Sequence, residues 1–288
     1  MKTILVGSTG FIGRQIKAEL VKRQTNFEVV DRKDINLIDD ISATSLGERL
    51  NKNTKVIFCS GIKKQLGDNF ENWSANEKIT NNLIKALKKS PPSHLVYLSS
   101  AAVFGEEKNF DETIDEQTTR HGTSFYAASK ISAENILFLI GQTLSFPVSI
   151  VRPPLIYGVG DASRGYGPTG FCFNSIEKKT IALWGDGEEK REFIAVEDLA
   201  EICVKLSDLA YDGSLNIVSG KSATFKDIIE IINSTEGFNV EFEYRARTKA
   251  KIDHEFNPEN LYKVLGNYKF ITLADGVKKL LMSIKREF

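Results

Sequence analysis

Seven residues near the start of the chain, G-S-T-G-F-I-G at 7–13, limit its fold more than any other stretch. They join a strand-like run, Thr3–Val6, to a segment of helical periodicity, Phe11–Val21. Gly7, Gly10 and Gly13 stand at G-x-x-G-x-x-G spacing. In a strand–turn–helix context the first glycine permits a tight turn, the second lets the backbone approach a pyrophosphate, and the third lets helix pack closely on strand. The pyrophosphate then sits at a helix N-terminus, where free N–H groups and the macrodipole favour an anion. The expected ligand is a dinucleotide. Asp31 closes the next strand, 18 residues after Gly13. A carboxylate there accepts hydrogen bonds from ribose hydroxyls, which favours NAD. Arg32 and Lys33 follow at once and suit a 2′-phosphate, which favours NADP, so both cofactors stay open.

The turn opens a longer alternation. Phe27–Val30, Lys55–Cys59, His94–Ser99 and Val148–Val151 read as strands, and Asn76–Leu87 and Tyr126–Ile140 as helices. Alternating strands and helices imply βαβ units and a parallel sheet covered on both faces. Short unalternating apolar cores, Val56–Phe58 and Leu95–Leu98, suit strands buried on both sides. The fold class expected is α/β, a Rossmann-type doubly wound parallel sheet with a smaller C-terminal lobe. Residues 158–170, rich in glycine and containing Pro168, read as loop. Ala195–Leu206 and Lys226–Ile232 then read as helices and Ser214–Val218 as a strand. The division expected is a dinucleotide-binding domain over 1–155, its sheet completed by parts of 190–220, and a substrate-binding lobe over 156–288.

Composition removes several classes of function. The 38 basic and 38 acidic residues cancel, leaving no electrostatic footprint for nucleic acid or an anionic membrane. No apolar run is long enough to cross a bilayer. The N-terminus enters a strand without signal-peptide design, so a cytoplasmic protein is expected. Cys59, Cys172 and Cys203 are few and scattered, as are His94, His121 and His254. That pattern argues against a disulfide framework or a metal site.

Tyr126 and Lys130 form Y-x-x-x-K, which puts both side chains on one helix face. A free tyrosine has a pKa of about 10, too high for a base near neutrality. A neighbouring ammonium favours the phenolate, so Lys130 is expected to lower it. Tyr126 then exchanges a proton with a sugar or alcohol hydroxyl. Ser100, just beyond a strand in S-S-A-A-V-F-G, is placed to hydrogen-bond the same oxygen. The pair alone is a common helix-surface pattern. Its weight comes from order: glycine turn, serine after a strand, Tyr and Lys on the next long helix.

With these residues in order, nearly the whole chain resembles the extended short-chain dehydrogenase/reductase family of nucleotide-sugar epimerases, dehydratases and reductases. G-S-T-G-F-I-G looks like its cofactor turn, and N-E-K-I-T-N-N-L-I at 76–84 like its N-V-x-G-T-x-N-L-L helix. Ser99–Gly105 is similar to S-S-x-x-V-Y-G, with Phe104 replacing the usual Tyr. R-P-P-L-I-Y-G at 152–158 and the segment 184–200 match two further family signatures. The resemblance implies Ser100, Tyr126 and Lys130 as catalytic residues. It implies Thr9, Phe11, Ile12, Asn36, Leu37, Ser60, Gly61, Pro153 and Ile156 as further cofactor contacts, with Asn36 and Leu37 flanking the adenine. Ser100, Ala101, Trp184 and Arg191 would meet a nucleotide-sugar substrate, with Arg191 on a phosphate and Trp184 near the base. Arg245 or, preferably, Arg247 would be a second phosphate ligand. A homodimer through the helices at 76–87 and 126–140 is implied as well.

Departures from the family pattern narrow the reaction. Its 4,6-dehydratases carry Asp-Glu directly after the catalytic hydroxyl residue; Ala101 and Ala102 have no proton to give. Ala102 also stands where the 3,5-epimerising reductases resembling GDP-fucose synthase use a cysteine. Reduction of a 4-keto sugar and 4-epimerisation with a recycled hydride need only Ser, Tyr, Lys and the cofactor. The short connector after the second strand resembles that of the reductases, and Leu155 stands where many epimerases have Asn. The expectation leans to the reductase, with the 4-epimerase as alternative. A non-catalytic dinucleotide sensor ranks lower, since such relatives usually lose the Tyr or Lys.

Overall fold

The computed structural model describes residues 1–162, 164 and 167–287. The chain runs β1 (Lys2–Val6), α1 (Phe11–Lys22), β2 (Phe27–Val30), a short α2 (Asp40–Ala43), β3 (Thr54–Phe58), α3 (Phe70–Lys89), β4 (His94–Leu98), α4 (Phe125–Leu144) and β5 (Val148–Arg152). β6 (Leu155–Tyr157), α5 (Gly167–Ile176), β7 (Ile181–Trp184), β8 (Lys190–Arg191), β9 (Phe193–Ala195), α6 (Val196–Leu209) and β10 (Gly213–Asn216) follow. β11 (Ala223–Thr224), α7 (Phe225–Asn233), β12 (Phe242–Arg245), α8 (Glu259–Leu265) and α9 (Leu273–Glu287) complete it.

Two compact units emerge. The first holds a six-stranded sheet of order β10-β5-β4-β3-β1-β2, parallel throughout. The crossover from β2 through β1 to β3 reverses direction, as in a Rossmann-type sheet, and opens a crevice at the carboxyl ends of the strands. Strand alternation sends Ile4, Val6, Val56, Phe58, Leu95 and Ile150 to one face. There they share a core with Ile79, Leu83 and Leu87 of α3 and Ala133 and Leu137 of α4. Leu5, Ile57, Val96 and Val151, pointing the other way, are also fully buried. α1 buries Ile16 and Leu20, and the Arg23 guanidinium pairs with Glu201 of α6. With helices on both faces, the strands need continuous rather than alternating apolar runs.

The second unit has its own core, in which Phe171, Cys172 and Phe173 of α5 meet Phe225, Ile228 and Ile232 of α7 and Val277, Leu281 and Ile284 of α9. Its strands form three two-stranded pairs, β6–β9, β7–β12 and β8–β11. Gly276 lies so close to Tyr157 that a Cβ would come within 2.0 Å of the phenol oxygen. α9 therefore packs on β6 only with glycine there.

The chain does not divide once near residue 155. The first unit comprises 1–106, 117–153 and 199–216; the second comprises 107–116, 154–198 and 217–288. β10 joins the sheet beside β5, register Leu215 to Val151. Segment 107–116 belongs with the second unit because Asn109 Nδ2 donates to the Lys251 carbonyl (2.8 Å) and Ile114 bridges to Phe256. The loop expected over 158–170 ends early. α5 starts at Gly167 with Pro168 at its first turn, where a missing N–H costs nothing and the fixed φ suits a helix. Residues 163, 165 and 166 of that stretch lie outside the described residues.

Candidate active site

Two of the three turn glycines are demanded by the protein itself. Gly7 has φ +94°, and a Cβ on it would lie 2.6 Å from Ser60 Oγ. A Cβ on Gly13 would fall 2.0 Å from the Gly7 carbonyl oxygen, so α1 could not seat on β1. Gly10 is different. Its φ is −70°, open to any residue, and its Cβ would meet nothing nearer than 3.6 Å. Neither backbone nor packing needs a glycine there, and its small size leaves the turn open to close approach by a ligand. Gly10 caps α1 without a side-chain hydrogen bond, which leaves first-turn N–H groups open to an anion.

A cavity of about 310 Å³ adjoins this turn, lined by Gly7, Thr9, Gly10, Asp31, Arg32, Asn36, Leu37, Ser60 and Gly61 among others. The donor-rich turn, a carboxylate and an apolar wall at Leu37 fit the phosphate, ribose and adenine of a dinucleotide. Asp31 accepts hydrogen bonds from the Ser8 hydroxyl (2.9 Å to each oxygen) and the Thr9 amide (3.1 Å). Arg32 is exposed at the rim. Phe11 and Ile12 sit in the first turn of α1, half-buried, outside the lining. Two buried asparagines that the sequence reading missed as supports shape the walls. Asn82 Nδ2 donates to the Leu37 carbonyl (2.9 Å), and Asn76 exchanges hydrogen bonds with the Ile62 backbone (2.8 and 3.0 Å). Their signal was present, as polar residues on the apolar face of α3.

Gly10→Ala is expected to unfold at the wild-type temperature yet lose most of the thermal shift that NADH or NADPH produces. Gly13→Ala is expected to lose stability even without cofactor. Differential scanning fluorimetry separates the two.

Ser100, Tyr126 and Lys130 come together in the same unit. Ser100 follows β4, caps a short turn at Ala101–Phe104 and accepts from the Ala102 amide (3.2 Å). Ala101 donates its amide to the Pro153 carbonyl (2.9 Å), which fixes Pro153 beside it. Tyr126 stands in the first turn of α4, behind the Ser124 cap, with the Ser100 side chain near enough to favour its phenolate. Lys130, one turn on, is buried; its Nζ donates to the Leu98 carbonyl (2.8 Å) and to the Tyr97 hydroxyl (3.4 Å). It lies 5.8 Å from the Tyr126 ring centre and 4.9 Å from that of Tyr97. Ile156 lies in the second unit, paired with Ile194.

The expected lowering of the Tyr126 phenol is not what this geometry produces. Burial pushes the phenol up to about 12, against the opposing hydrogen bond from Ser100. Lys130 cannot reverse this, because its ammonium faces a carbonyl and Tyr97 rather than the Tyr126 oxygen. Burial also pulls Lys130 itself down to about 8, opposed by Glu134 and Cys59. An unfolded lysine holds its proton to about 10.5. Between about 8 and 10.5 the unfolded state thus binds more protons at this residue, and stability gains from rising pH. Urea titrations across that window are expected to show the gain in wild type relative to Lys130→Met.

Glu134, one further turn along α4, is a supporting residue the sequence reading missed. It is fully buried and accepts from Arg152 Nε (3.0 Å) and Nη2 (2.7 Å), Arg120 Nη1 (3.1 Å) and the Ser99 hydroxyl. It thereby ties the residue before Ser100 to the helix carrying Tyr126 and Lys130. Its signal was the i+4 step from Lys130, which puts a third polar residue on that face.

In the second unit, Arg191 on β8 and Arg247 meet across Glu189. Trp184, at the end of β7, is 45% exposed and lies in register with Arg245 of β12. Arg245 turns to Glu243 instead (2.9 Å), so Arg247 is the arginine that shares a partner with Arg191. Among the described residues, no group of three or more His, Cys, Asp or Glu is placed to hold a metal ion, and no helix is long and apolar enough to cross a membrane.

The chain is similar to known proteins over almost its entire length. A putative UDP-glucose 4-epimerase of Methanocaldococcus jannaschii is 24% identical, covering 98% of each chain. A GDP-6-deoxy-D-mannose reductase of Pseudomonas aeruginosa is 25% identical over 80% of this chain and 79% of its own. The crystal structure of the Thermus thermophilus UDP-glucose 4-epimerase in complex with NAD superposes with a TM-score of 0.87, at 20% identity and 99% coverage of both chains. The structural likeness is one of fold. With its family model matched over residues 3–217, the chain belongs to the NAD dependent epimerase/dehydratase family.

Proposed function

We propose that the protein is an NAD(P)-dependent oxidoreductase of a nucleotide-activated sugar, working as a 4-keto-sugar reductase. The observation that carries this is the Ser100–Tyr126–Lys130 group beside the glycine-turn cavity. Reduction needs a proton donor at the developing alkoxide, and a phenol pushed up to about 12 is protonated at neutrality. Tyr126 delivers its proton to the sugar oxygen, and Ser100 holds the same oxygen by a hydrogen bond. Lys130 keeps positive charge beside the Tyr126 ring. The nicotinamide, when bound, supplies the hydride. Gly7, Thr9, Gly10, Ser60 and Gly61 would hold the dinucleotide's phosphates, with Gly13 letting α1 seat close to the turn, and Asn36 and Leu37 would flank the adenine. Ala101 and Ala102 supply no acid or base for dehydration.

A second reading, 4-epimerisation with retained NAD, is favoured by Asp31. Its carboxylate, fixed by Ser8 and Thr9 in the cavity, suits a free ribose hydroxyl and repels a 2′-phosphate. Substrate specificity falls to the second unit, where Arg191 and Arg247 take the diphosphate and Trp184 the base. We also infer a cytoplasmic homodimer through α3 and α4. Leu139, 57% exposed on α4, supports it, and sedimentation velocity tests it.

The test of the reaction is to purify the protein, identify bound dinucleotide by mass spectrometry, and follow NADH and NADPH oxidation with nucleotide-linked 4-keto sugars. Oxidation of added NADH or NADPH supports the reductase. Tightly held NAD with interconversion of C4 epimers supports the second reading. Neither reaction with any UDP-, GDP- or dTDP-sugar would overturn both.

A further inference from the structure

The turn leading into Arg191 carries more negative charge than a phosphate site calls for. Between β7 and β8 the sequence is G-D-G-E-E-K-R at 185–191. Gly185 and Gly187 take positive φ, +63° and +73°, and Asp186 accepts the Glu188 amide (3.1 Å). This tight turn delivers Glu189 between two guanidiniums. One carboxylate oxygen accepts from Arg191 Nη2 and the other from Arg247 Nη1 (3.1 Å). The three side chains are only 15–21% exposed.

We propose that Glu189 is an internal counter-anion of the Arg191–Arg247 pair, seated where an anionic substrate group of the diphosphate class binds and displaced when that group arrives. This rests on reading the two arginines as diphosphate ligands of a nucleotide-sugar site. A carboxylate with one oxygen on each of two guanidiniums reproduces the charge and planar geometry with which arginine grips phosphate. Two guanidiniums that share one largely buried carboxylate are stabilised by the anion between them.

Glu189 is the removable member of the cluster. Arg191 is separately anchored by its Nη1, which donates to the carbonyls of Lys190 (2.9 Å) and Ile252. Arg247 is separately anchored by Asp186, which accepts from Nη2 (3.1 Å). Its side chain lies against Gly185, where a Cβ would come within 2.1 Å of Nε. When Glu189 swings away, both guanidiniums keep their positions and each regains an N–H donor. A diphosphate, carrying more charge than one carboxylate, wins the exchange, but only after displacing Glu189. The gate therefore discriminates against weaker, singly charged anions.

The test is calorimetric titration of inorganic pyrophosphate into cofactor-saturated protein, so that the glycine turn is already filled. Glu189→Gln keeps the shape and removes the charge. It is expected to bind pyrophosphate about tenfold more tightly than wild type, and Glu189→Ala is expected to change in the same direction. A residue that merely orients the arginines would give weaker binding in both variants. Equal or weaker binding overturns the proposal, as does a gain that survives in an Arg247→Ala background. If pyrophosphate binding to wild type is unmoved by Arg191→Ala and by Arg247→Ala, the underlying phosphate reading fails, whatever Glu189 does.

Discussion

Tyr126→Phe is expected to lower kcat about a thousandfold, within the range that a positioned acid supplies, while leaving cofactor affinity close to wild type. The substitution removes one oxygen, the phenol that the Ser100 side chain acts on; the ring keeps its place in the first turn of α4. Ser100→Ala removes the other donor to the same substrate oxygen and is expected to cost about a hundredfold. Because the two hydroxyls act as a unit, the double variant should fall little below Tyr126→Phe alone. Stopped-flow hydride transfer at saturating cofactor reads this out. Turnover surviving in Tyr126→Phe would remove Tyr126 as the acid.

Glu134→Leu is expected to destabilise the fold by about 3–5 kcal/mol, because it removes the buried carboxylate that two guanidiniums, Arg152 and Arg120, donate to. Arg152 is 3% exposed and gives its Nε and Nη2 to this carboxylate. A loss of that size is a large part of the ~5–15 kcal/mol that holds a domain together. Pairing it with Arg152→Met removes the opposite buried charge as well and should recover most of the loss. Urea midpoints of the four proteins form the cycle. A single variant as stable as wild type would show that Arg152 finds other compensation.

The parts of this protein that were legible from sequence are those whose partners are near in sequence or repeat regularly. β1, β3 and β4 are buried on both faces, and so each writes an unbroken apolar run of three or four residues. Tyr126 and Lys130 are one helical turn apart, and the glycines of 7–13 lie in one turn. β12 escaped although Phe242-Glu243-Tyr244-Arg245 alternates apolar and charged residues: the strand is short, all four residues are exposed, and it pairs with β7 about 60 residues away. α5 escaped because Pro168, taken as a loop residue, fills the one helix position that tolerates it. α9 buries Val277, Leu280, Leu281 and Ile284, a helical spacing that stood in a region read as mixed. The meeting of Glu189 with Arg247 spans 58 residues, and no local spacing encodes it. The charge balance at Lys130 was misjudged for a similar reason. Helix periodicity placed it beside Tyr126, but the Leu98 carbonyl and Tyr97 that hold its ammonium lie on β4.

The late return of the chain to its first sheet also bears on how the protein is made. β5 ends at Arg152, and its outer neighbour, β10, begins only at Gly213. At about 5–20 residues per second, a ribosome needs several seconds to cover that stretch. During that interval β5 presents an unpaired backbone edge, the kind of surface that recruits strands from other chains. All five of its residues are buried in the finished protein. The hazard of misassembly is thus set by the pace of translation across 153–213, and a stall there would expose an adhesive edge on an otherwise assembled sheet.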